Sequence, residues 1–415
     1  MDISGLNPKS SFTRKMHPLV SFIDTPPSFT QLPGLIFIAL LLYIIIRVLY
    51  SLSTWKRRRR LLSFLLRCIR WELWPPYLFY PPVVLYYLGL SIRYRSLTLP
   101  SLANPGIPLG GWVESKGEIL GRLSRHCPDN VGAILTLPSN LDTRERIEKI
   151  TAFRESLNNP WPIVIKPDQG EHGLGVEILH HARAIENYLD RHPENLVVQE
   201  YHPGREFGAF FIRFPGKNAV TLFSLAEKAP IHVTGDGRST LEELILKDRR
   251  AVCMAGYFIG RFPDAETEVP GCGETIRLTD VRSRSRGAHY LGLPLDGTEK
   301  LTARLTDILR GIPGFHFGRF DLKAPSIEAL KAGSNLKIIE LNGLTSEALH
   351  VYQPYQSILK GYRVLFKQWK IAFRIGDHHR KLGMKPPSSK SLFKLLWIHL
   401  FRKEDCPLPI EPRDP

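Results

Sequence analysis

The chain has 415 residues, 43% hydrophobic and 23% charged. That composition belongs to folded domains, roughly two or three at ~150 residues each, and excludes a disordered or fibrous protein. Lys and Arg number 56 against 40 Asp and Glu, a formal charge of +16. This favours polyanionic partners, whether phosphates, anionic lipid or nucleic acid, while the scattered Cys68, Cys127, Cys253, Cys272 and Cys406 form no CxxC pair and point away from a disulfide framework or zinc site.

Residues 1–32 read as a disordered N-terminus. An apolar run follows at residues 34–46, is interrupted by Arg47 and resumes through Tyr50. Together with the cluster Lys56, Arg57, Arg58, Arg59 and Arg60, it makes residues 33–60 a transmembrane or signal-anchor helix with a basic flank. The expected orientation puts the N-terminus outside and the bulk of the chain in the cytoplasm. Residues 61–103 are aromatic and apolar but carry Glu72 and the pairs Pro75-Pro76 and Pro81-Pro82. Proline breaks helices and Trp and Tyr favour the lipid–water boundary, so this stretch reads as an interfacial or re-entrant membrane segment. A second span, or apolar helices packed on the protein's own core, are the alternatives.

From residue 104 the pattern alternates between helix and strand. A helix is expected at 116–123, a strand at 131–137 and an amphipathic helix at 143–157. A proline-bounded apolar strand then ends in Lys166-Pro167. Gly170, Gly173 and Gly175 follow within a short loop whose backbone N–H groups can approach phosphate. It is neither a Walker A loop nor a Rossmann fingerprint, because no GK[ST] follows and a strand, not a helix, comes next. Further strands are expected at 196–201, from Gly204 and at 220–226. Asp236 and Arg238 sit in a turn that caps a helix with Glu242 and Glu243 in its first turn. Two late strands carry Gly318-Arg319-Phe320-Asp321 and Glu340-Leu341-Asn342. Asp321, Glu340 and Asn342 on neighbouring strands offer hard oxygen ligands of the kind that suits Mg²⁺ bridging nucleotide phosphates.

In this order the motifs resemble the ATP-grasp superfamily, in its carboxylate–amine ligase branch of the D-alanine–D-alanine ligase and cyanophycin synthetase type. The resemblance spans residues 104–354. It rests on Ser115-Lys116, Ile165-Lys166-Pro167 with the three glycines, Gln199-Glu200-Tyr201, Gly204 and Glu206, the phrase from Gly235 to Leu241, Gly318-Arg319-Phe320-Asp321 and Glu340-Leu341-Asn342-Gly343. The aromatic-proline segment ahead of it also resembles a membrane-associated subgroup. The related ligases carry a substantial α/β domain before the first phosphate lysine; here a membrane-type segment stands close before Lys116.

The resemblance implies an α+β fold in which two α+β subdomains clamp ATP, preceded by N-terminal hydrophobic helices. It implies that Lys116 and Lys166 meet the α- and β-phosphates under a lid from Gly170 to Gly175. Backbone groups of Glu200, Tyr201 and His202 would meet adenine, and Glu206 the ribose. Lys228 would lie near the β/γ-phosphates. Asp321, Glu340 and Asn342 would hold one or two Mg²⁺, and Arg319 would stabilise the transferring phosphoryl group. Arg286, in the run Arg282, Arg284, Arg286, is a candidate anion binder, and Ser346 and Glu347 either face an acceptor amine or cap the next helix. The implied reaction joins a small carboxylic acid to an amine through an acyl phosphate. A kinase acting on a hydroxyl and a non-catalytic, basic membrane-binding protein are the alternatives. Membrane lipid is an expected partner and nucleic acid is not. Residues 355–403 read as basic amphipathic C-terminal helices, packed on the core or lying on anionic lipid, and residues 404–415 as a disordered tail.

Overall fold

The computed structural model describes residues 32–393 apart from 113, 158–160, 171, 172 and 285. The expected disordered ends, all but Leu32, and most of the second basic stretch lie outside the described residues. The chain divides into two units, Met1–Leu61 and Leu62–Pro415. The first contains the apolar helix Leu32–Leu52. Its segment Pro33–Leu52 has mean hydropathy 2.6 and is long and apolar enough to cross a membrane. The basic cluster opens the helix Trp55–Ile69.

The second unit holds two antiparallel sheets, as the expected α+β class requires. Strands β1 (Ile134–Leu137), β2 (Ile163–Pro167), β3 (Glu177–Leu179) and β4 (Leu196–Glu200) form the first, in the order β1-β4-β2-β3. Strands β5 (Arg205–Ile212) and β6 (Thr221–Ala229) belong to the second. A two-stranded ribbon follows, of β7 (His232–Thr234) and β8 (Thr275–Arg277). The second sheet is completed by β9 (His289–Leu293), β10 (Phe317–Ala324) and β11 (Lys337–Asn342), in the order β11-β10-β5-β6-β9.

Burial explains the strand patterns. In β2, Ile163 and Ile165 go into a core with Tyr188 and Leu189 of the helix Arg183–Arg191. In β5 and β10, Phe207, Phe211, Phe320 and Leu322 pack against Leu301, Leu305 and Ile308 of the helix Glu299–Ile308. The opposite face of the second sheet, through Phe210, Ile212 and Phe317, packs on Leu365, Ile371 and Ile375 of the long helix Ile358–Lys381. That helix was open to either packing or lipid; its apolar stripe lies on the core.

The stretch expected at the membrane interface also packs, on one face. Trp71 and Phe79 are buried in the same core as the long helix, and Trp71 donates from Nε1 to the carbonyl of Gln356 at 2.6 Å. Phe79 stacks on Tyr362 with ring centroids 5.2 Å apart. Glu72, conspicuous in an apolar run, is buried against Arg250 at 3.3 Å. The other face leaves Tyr77, Leu78, Val84, Leu85, Leu88 and Ile92 exposed.

Candidate active site

Register places the late strands as their motifs require. In the β10–β11 pairing, Asp321 lies opposite Glu340 and Arg319 opposite Asn342. Leu322 then pairs with Ile338, so Ile339 is the extra residue of a β-bulge. A bulge turns an unpaired backbone group out of the ladder. Here the Ile339 carbonyl accepts from Lys166 Nζ of the first sheet at 2.9 Å. Gln199 of β4 holds the same ammonium at 3.0 Å through Oε1 and donates to the Ile338 carbonyl at 3.3 Å. The two sheets are thereby tied together at Lys166.

Asp321 is buried and heavily paired. Arg319 donates to it from Nε at 2.7 Å and from Nη2 at 3.1 Å. Lys228 lies 2.9 Å from Asp321 Oδ2 and 2.9 Å from Glu206 Oε1. Burial alone would raise the Asp321 pKa, but Arg319 and Lys228 outweigh it and hold the carboxylate at about 2. Burial would likewise lower Lys228; Asp321 and Glu206 reverse this and raise it. Arg319 is raised for the same reason, with Asp321 opposing the effect of burial. Asn342 donates to Asp321 at 3.2 Å; an amide turned about its last bond presents its oxygen to the same place. Asp321, Glu340 and Asn342 thus bring oxygen-bearing side chains together on adjacent strands, the kind of donor that Mg²⁺ takes.

Lys116 opens the helix Lys116–His126. Asp168, the residue after the Lys166-Pro167 pair, fixes that helix start: its carboxylate accepts from Ser115 Oγ at 3.0 Å and from the Gly117 N–H at 2.8 Å. Lys116 Nζ donates to the Gly170 carbonyl at 2.6 Å and lies 3.6 Å from Glu340. Lys116, Lys166 and Glu340 therefore sit together. Burial pushes the Lys166 ammonium down to about 8; Glu340 opposes this and Lys116 adds to it. In the glycine loop, Gly173 and Gly175 have φ of 77° and 67°, the left-handed region that glycine enters without strain.

The link between the sheets is residues 201–204, from the end of β4 to the start of β5. Glu200 accepts from the Ala133 N–H at 3.0 Å, and burial lowers the His202 pKa beside it. The Lys323 ammonium lies 5.1 Å from the Tyr201 ring centroid. Glu206, near the start of β5, pairs in register with Lys228 on one side and Lys323 on the other.

Beyond Arg319 the remaining candidates separate. Ser346 Oγ donates to the Gly343 carbonyl at 2.5 Å and the Asn342 carbonyl at 3.3 Å, which closes a local turn. Arg286 is buried and directs Nη1 to the Val176 carbonyl at 3.5 Å, just past the glycine loop. Glu347 instead accepts from Tyr80 Oη at 2.8 Å and from Tyr352 Oη. Sequence reasoning overlooked Tyr80, Tyr352 and Asp168. The position of Asp168 beside the Lys166-Pro167 pair was the only available hint. Asp236 accepts from the N–H groups of Arg238 and Ser239, in the turn expected of it.

No protein-family model matches the chain. It is 35% identical over 232 residues to the cyanophycin synthetase of Synechocystis sp., covering 49% of this chain and 25% of that protein. It is 30% identical over 229 residues to the glutathione biosynthesis bifunctional protein GshAB of Enterococcus faecalis, covering 46% of this chain and 28% of that one. The chain thus spans about a quarter of the length of the curated relatives it matches. Among solved structures, the D-alanine–D-alanine ligase of Bacillus anthracis complexed with ATP aligns over 65% of this chain and 68% of its own, with TM-score 0.35 and 12% identity.

Proposed function

We propose that this ATP-grasp chain, of the carboxylate–amine ligase branch, is a Mg²⁺-dependent and membrane-associated ligase that joins a small carboxylic acid to an amine. The observation that carries the reading is the paired array of Glu206, Lys228, Asp321 and Arg319, beside Lys116, Lys166 and Glu340. Such an array stores cations and carboxylates against each other. The carboxylates could then turn to a metal ion and the cations to phosphate at little desolvation cost.

Asp321, Glu340 and Asn342 would hold Mg²⁺, which would supply charge neutralisation for the nucleotide phosphates. Lys228 and Arg319 would turn from Asp321 to phosphate oxygens. Lys116 and Lys166 neutralise the α- and β-phosphates under the loop from Gly170 to Gly175. Backbone groups of Glu200, Tyr201 and His202 meet adenine, and Glu206 accepts from the ribose hydroxyls. A substrate carboxylate oxygen then attacks the γ-phosphorus and the bond to the β-bridging oxygen breaks, giving acyl phosphate and ADP. An amine attacks the acyl carbon; phosphate leaves and the nitrogen loses a proton, giving the amide. Arg319 stabilises charge on the transferring phosphoryl group. Positioning supplies the rest, so no enzyme nucleophile is required.

Membrane association is supported by the helix spanning Pro33–Leu52, with Lys56 to Arg60 beyond it, on the cytoplasmic side by the positive-inside rule. The experiment for the chemistry is ADP release with hydroxylamine trapping, using full-length protein and pools of amino acids, peptides and simple carboxylic acids. A ligase yields a hydroxamate with its acid, and Asp321→Asn or Glu340→Gln reduces the signal at least about 100-fold. ADP release with a phosphorylated hydroxyl and no hydroxamate assigns a kinase instead. Wild-type turnover in either variant removes the metal assignment.

A further inference from the structure

Two helices far apart in the sequence carry charge and hydropathy where a water-facing surface would not place them. In the helix Ile358–Lys381, the residues Lys360, Arg363, Lys367, Lys370 and Arg374 recur every three or four positions and are all exposed. That spacing puts them in one stripe down the outer face. Like charges at i,i+3 and i,i+4 repel, so a solvated face normally mixes signs. This stripe holds no acid. Asp377, the only acidic residue of the helix, pairs with Arg380 and Lys381. None of the stripe's cations makes an ion pair among the described residues.

The helix Pro81–Tyr94 is inverted in polarity. Ser91 is buried, its hydroxyl satisfied by the Tyr87 carbonyl at 2.9 Å, while its neighbour Ile92 is 79% exposed. Val84, Leu85 and Leu88 are exposed as well, and the spacing i, i+1, i+4, i+8 lines them up with Ile92 in one row. Single apolar residues are ordinary on a protein surface, but a contiguous row marks a contact.

The two helices are packed as a pair. They run side by side in the same direction, with Tyr86 stacked on Phe366 at 4.3 Å between centroids and Tyr87 edge-on to Trp369 at 4.8 Å. At one end the Tyr362 hydroxyl donates to the Phe79 carbonyl at 3.0 Å. At the other, Arg380 donates to the Tyr94 carbonyl at 2.7 Å. The cationic stripe and the apolar row are therefore outward faces of one fixed unit. Any polyanion would satisfy the stripe alone. Nucleic acid would leave the apolar row in water, and an apolar protein groove would leave the cations unmatched. A bilayer rich in anionic phospholipid matches both, with acyl chains for Val84, Leu85, Leu88 and Ile92 and headgroup phosphates for the Lys and Arg side chains.

We propose that this helix pair is a docking face for anionic phospholipid, which lays the unit Leu62–Pro415 on the membrane surface. The contact is additional to the apolar helix Leu32–Leu52 and does not depend on the ligase chemistry.

The test uses the full chain in nanodiscs, with Cys68, Cys272 and Cys406 changed to serine and a bimane fluorophore attached in Ile92→Cys. Bimane in Glu148→Cys, on the exposed side of the helix Thr143–Glu155, is the control. Lipids with a nitroxide on the acyl chain quench a probe that enters the bilayer. In discs of phosphatidylglycerol and phosphatidylcholine, quenching at position 92 should exceed that at position 148 at least about threefold. It should fall at least about twofold in phosphatidylcholine alone, or when the stripe's Lys and Arg residues become glutamine. With the stripe intact, raising salt from about 0.05 to about 0.5 M should also weaken it, because the Debye length shrinks about threefold. Equal quenching at the two positions overturns the docking face. Quenching at position 92 that ignores headgroup charge, salt and the glutamine changes overturns the recognition of anionic lipid. Duplex DNA bound through the stripe, with no quenching at position 92, assigns the cations to nucleic acid instead.

Discussion

Lys166 shows how one residue's surroundings set what it does. It is buried in β2, held by Gln199 and the Ile339 carbonyl, and burial brings its ammonium down to about 8. The charged form is the one that can bind phosphate in the proposed role, and it predominates below that value. As pH rises through about 8 the free protein loses this charge, so ATP binding weakens above it and is strongest below. Bound phosphate restores the preference for the charged form, so binding at about pH 8.5 takes up a proton. Calorimetry in buffers of different ionisation enthalpy should record that uptake. In Lys166→Arg, where the guanidinium stays charged, it should vanish and the pH dependence should flatten. A flat profile in the wild type would show that Lys166 does not bear on phosphate. Lys228, raised by Asp321 and Glu206, stays charged throughout this range and adds nothing to the slope.

At the scale of elements, the site was readable wherever its parts lie on one strand or one turn. Asp321 and Arg319 stand two residues apart on β10, and Glu340 and Asn342 likewise on β11, so strand periodicity alone puts each pair on one face. Lys116 announces itself as the first residue of a Ser-capped helix. The bulge at Ile339 was not readable, because a bulge is set by strand pairing rather than composition. Nor was the Tyr80–Glu347 contact, which joins residues 267 positions apart. Tyr80 lies among prolines and aromatics whose composition signals a lipid boundary, and burial of one face against the long helix cannot be told from composition. Asn104 shows what holds that segment in place. It is fully buried, donates to the carbonyls of Gly110 and Phe317, and accepts from the N–H groups of His316 and Phe317 at the entry to β10. Asn104→Ala strands these backbone groups and should cost about 3 kcal/mol. Chemical denaturation of the full chain, followed by tryptophan fluorescence, measures this; a loss well below about 1 kcal/mol would mean that water replaces the amide.

At the scale of the whole molecule, charge and hydropathy act on different units. All the residues proposed to meet phosphate lie in Leu62–Pro415, and the span-length apolar helix lies in Met1–Leu61. None of the Pro33–Leu52 helix is buried within the protein. Leaving so many Leu, Ile and Phe side chains in water is costly at roughly 25 cal/mol per Å² of apolar surface, and a bilayer removes that cost. The second unit carries its own exposed row of Tyr77, Leu78, Val84, Leu85, Leu88 and Ile92, without the continuous length a span needs. These features predict two different attachments. Full-length protein should resist extraction from membranes by alkaline carbonate. A chain beginning at Leu62 should come off in carbonate, yet still sediment with vesicles containing anionic lipid at low salt, because an apolar row on a strongly basic protein gives reversible interfacial binding. ATP affinity should be the same in both, since no phosphate ligand has been removed. Carbonate release of the full-length chain would assign the helix a role other than spanning. Loss of vesicle binding without Met1–Leu61 would leave the exposed row to a protein partner rather than lipid.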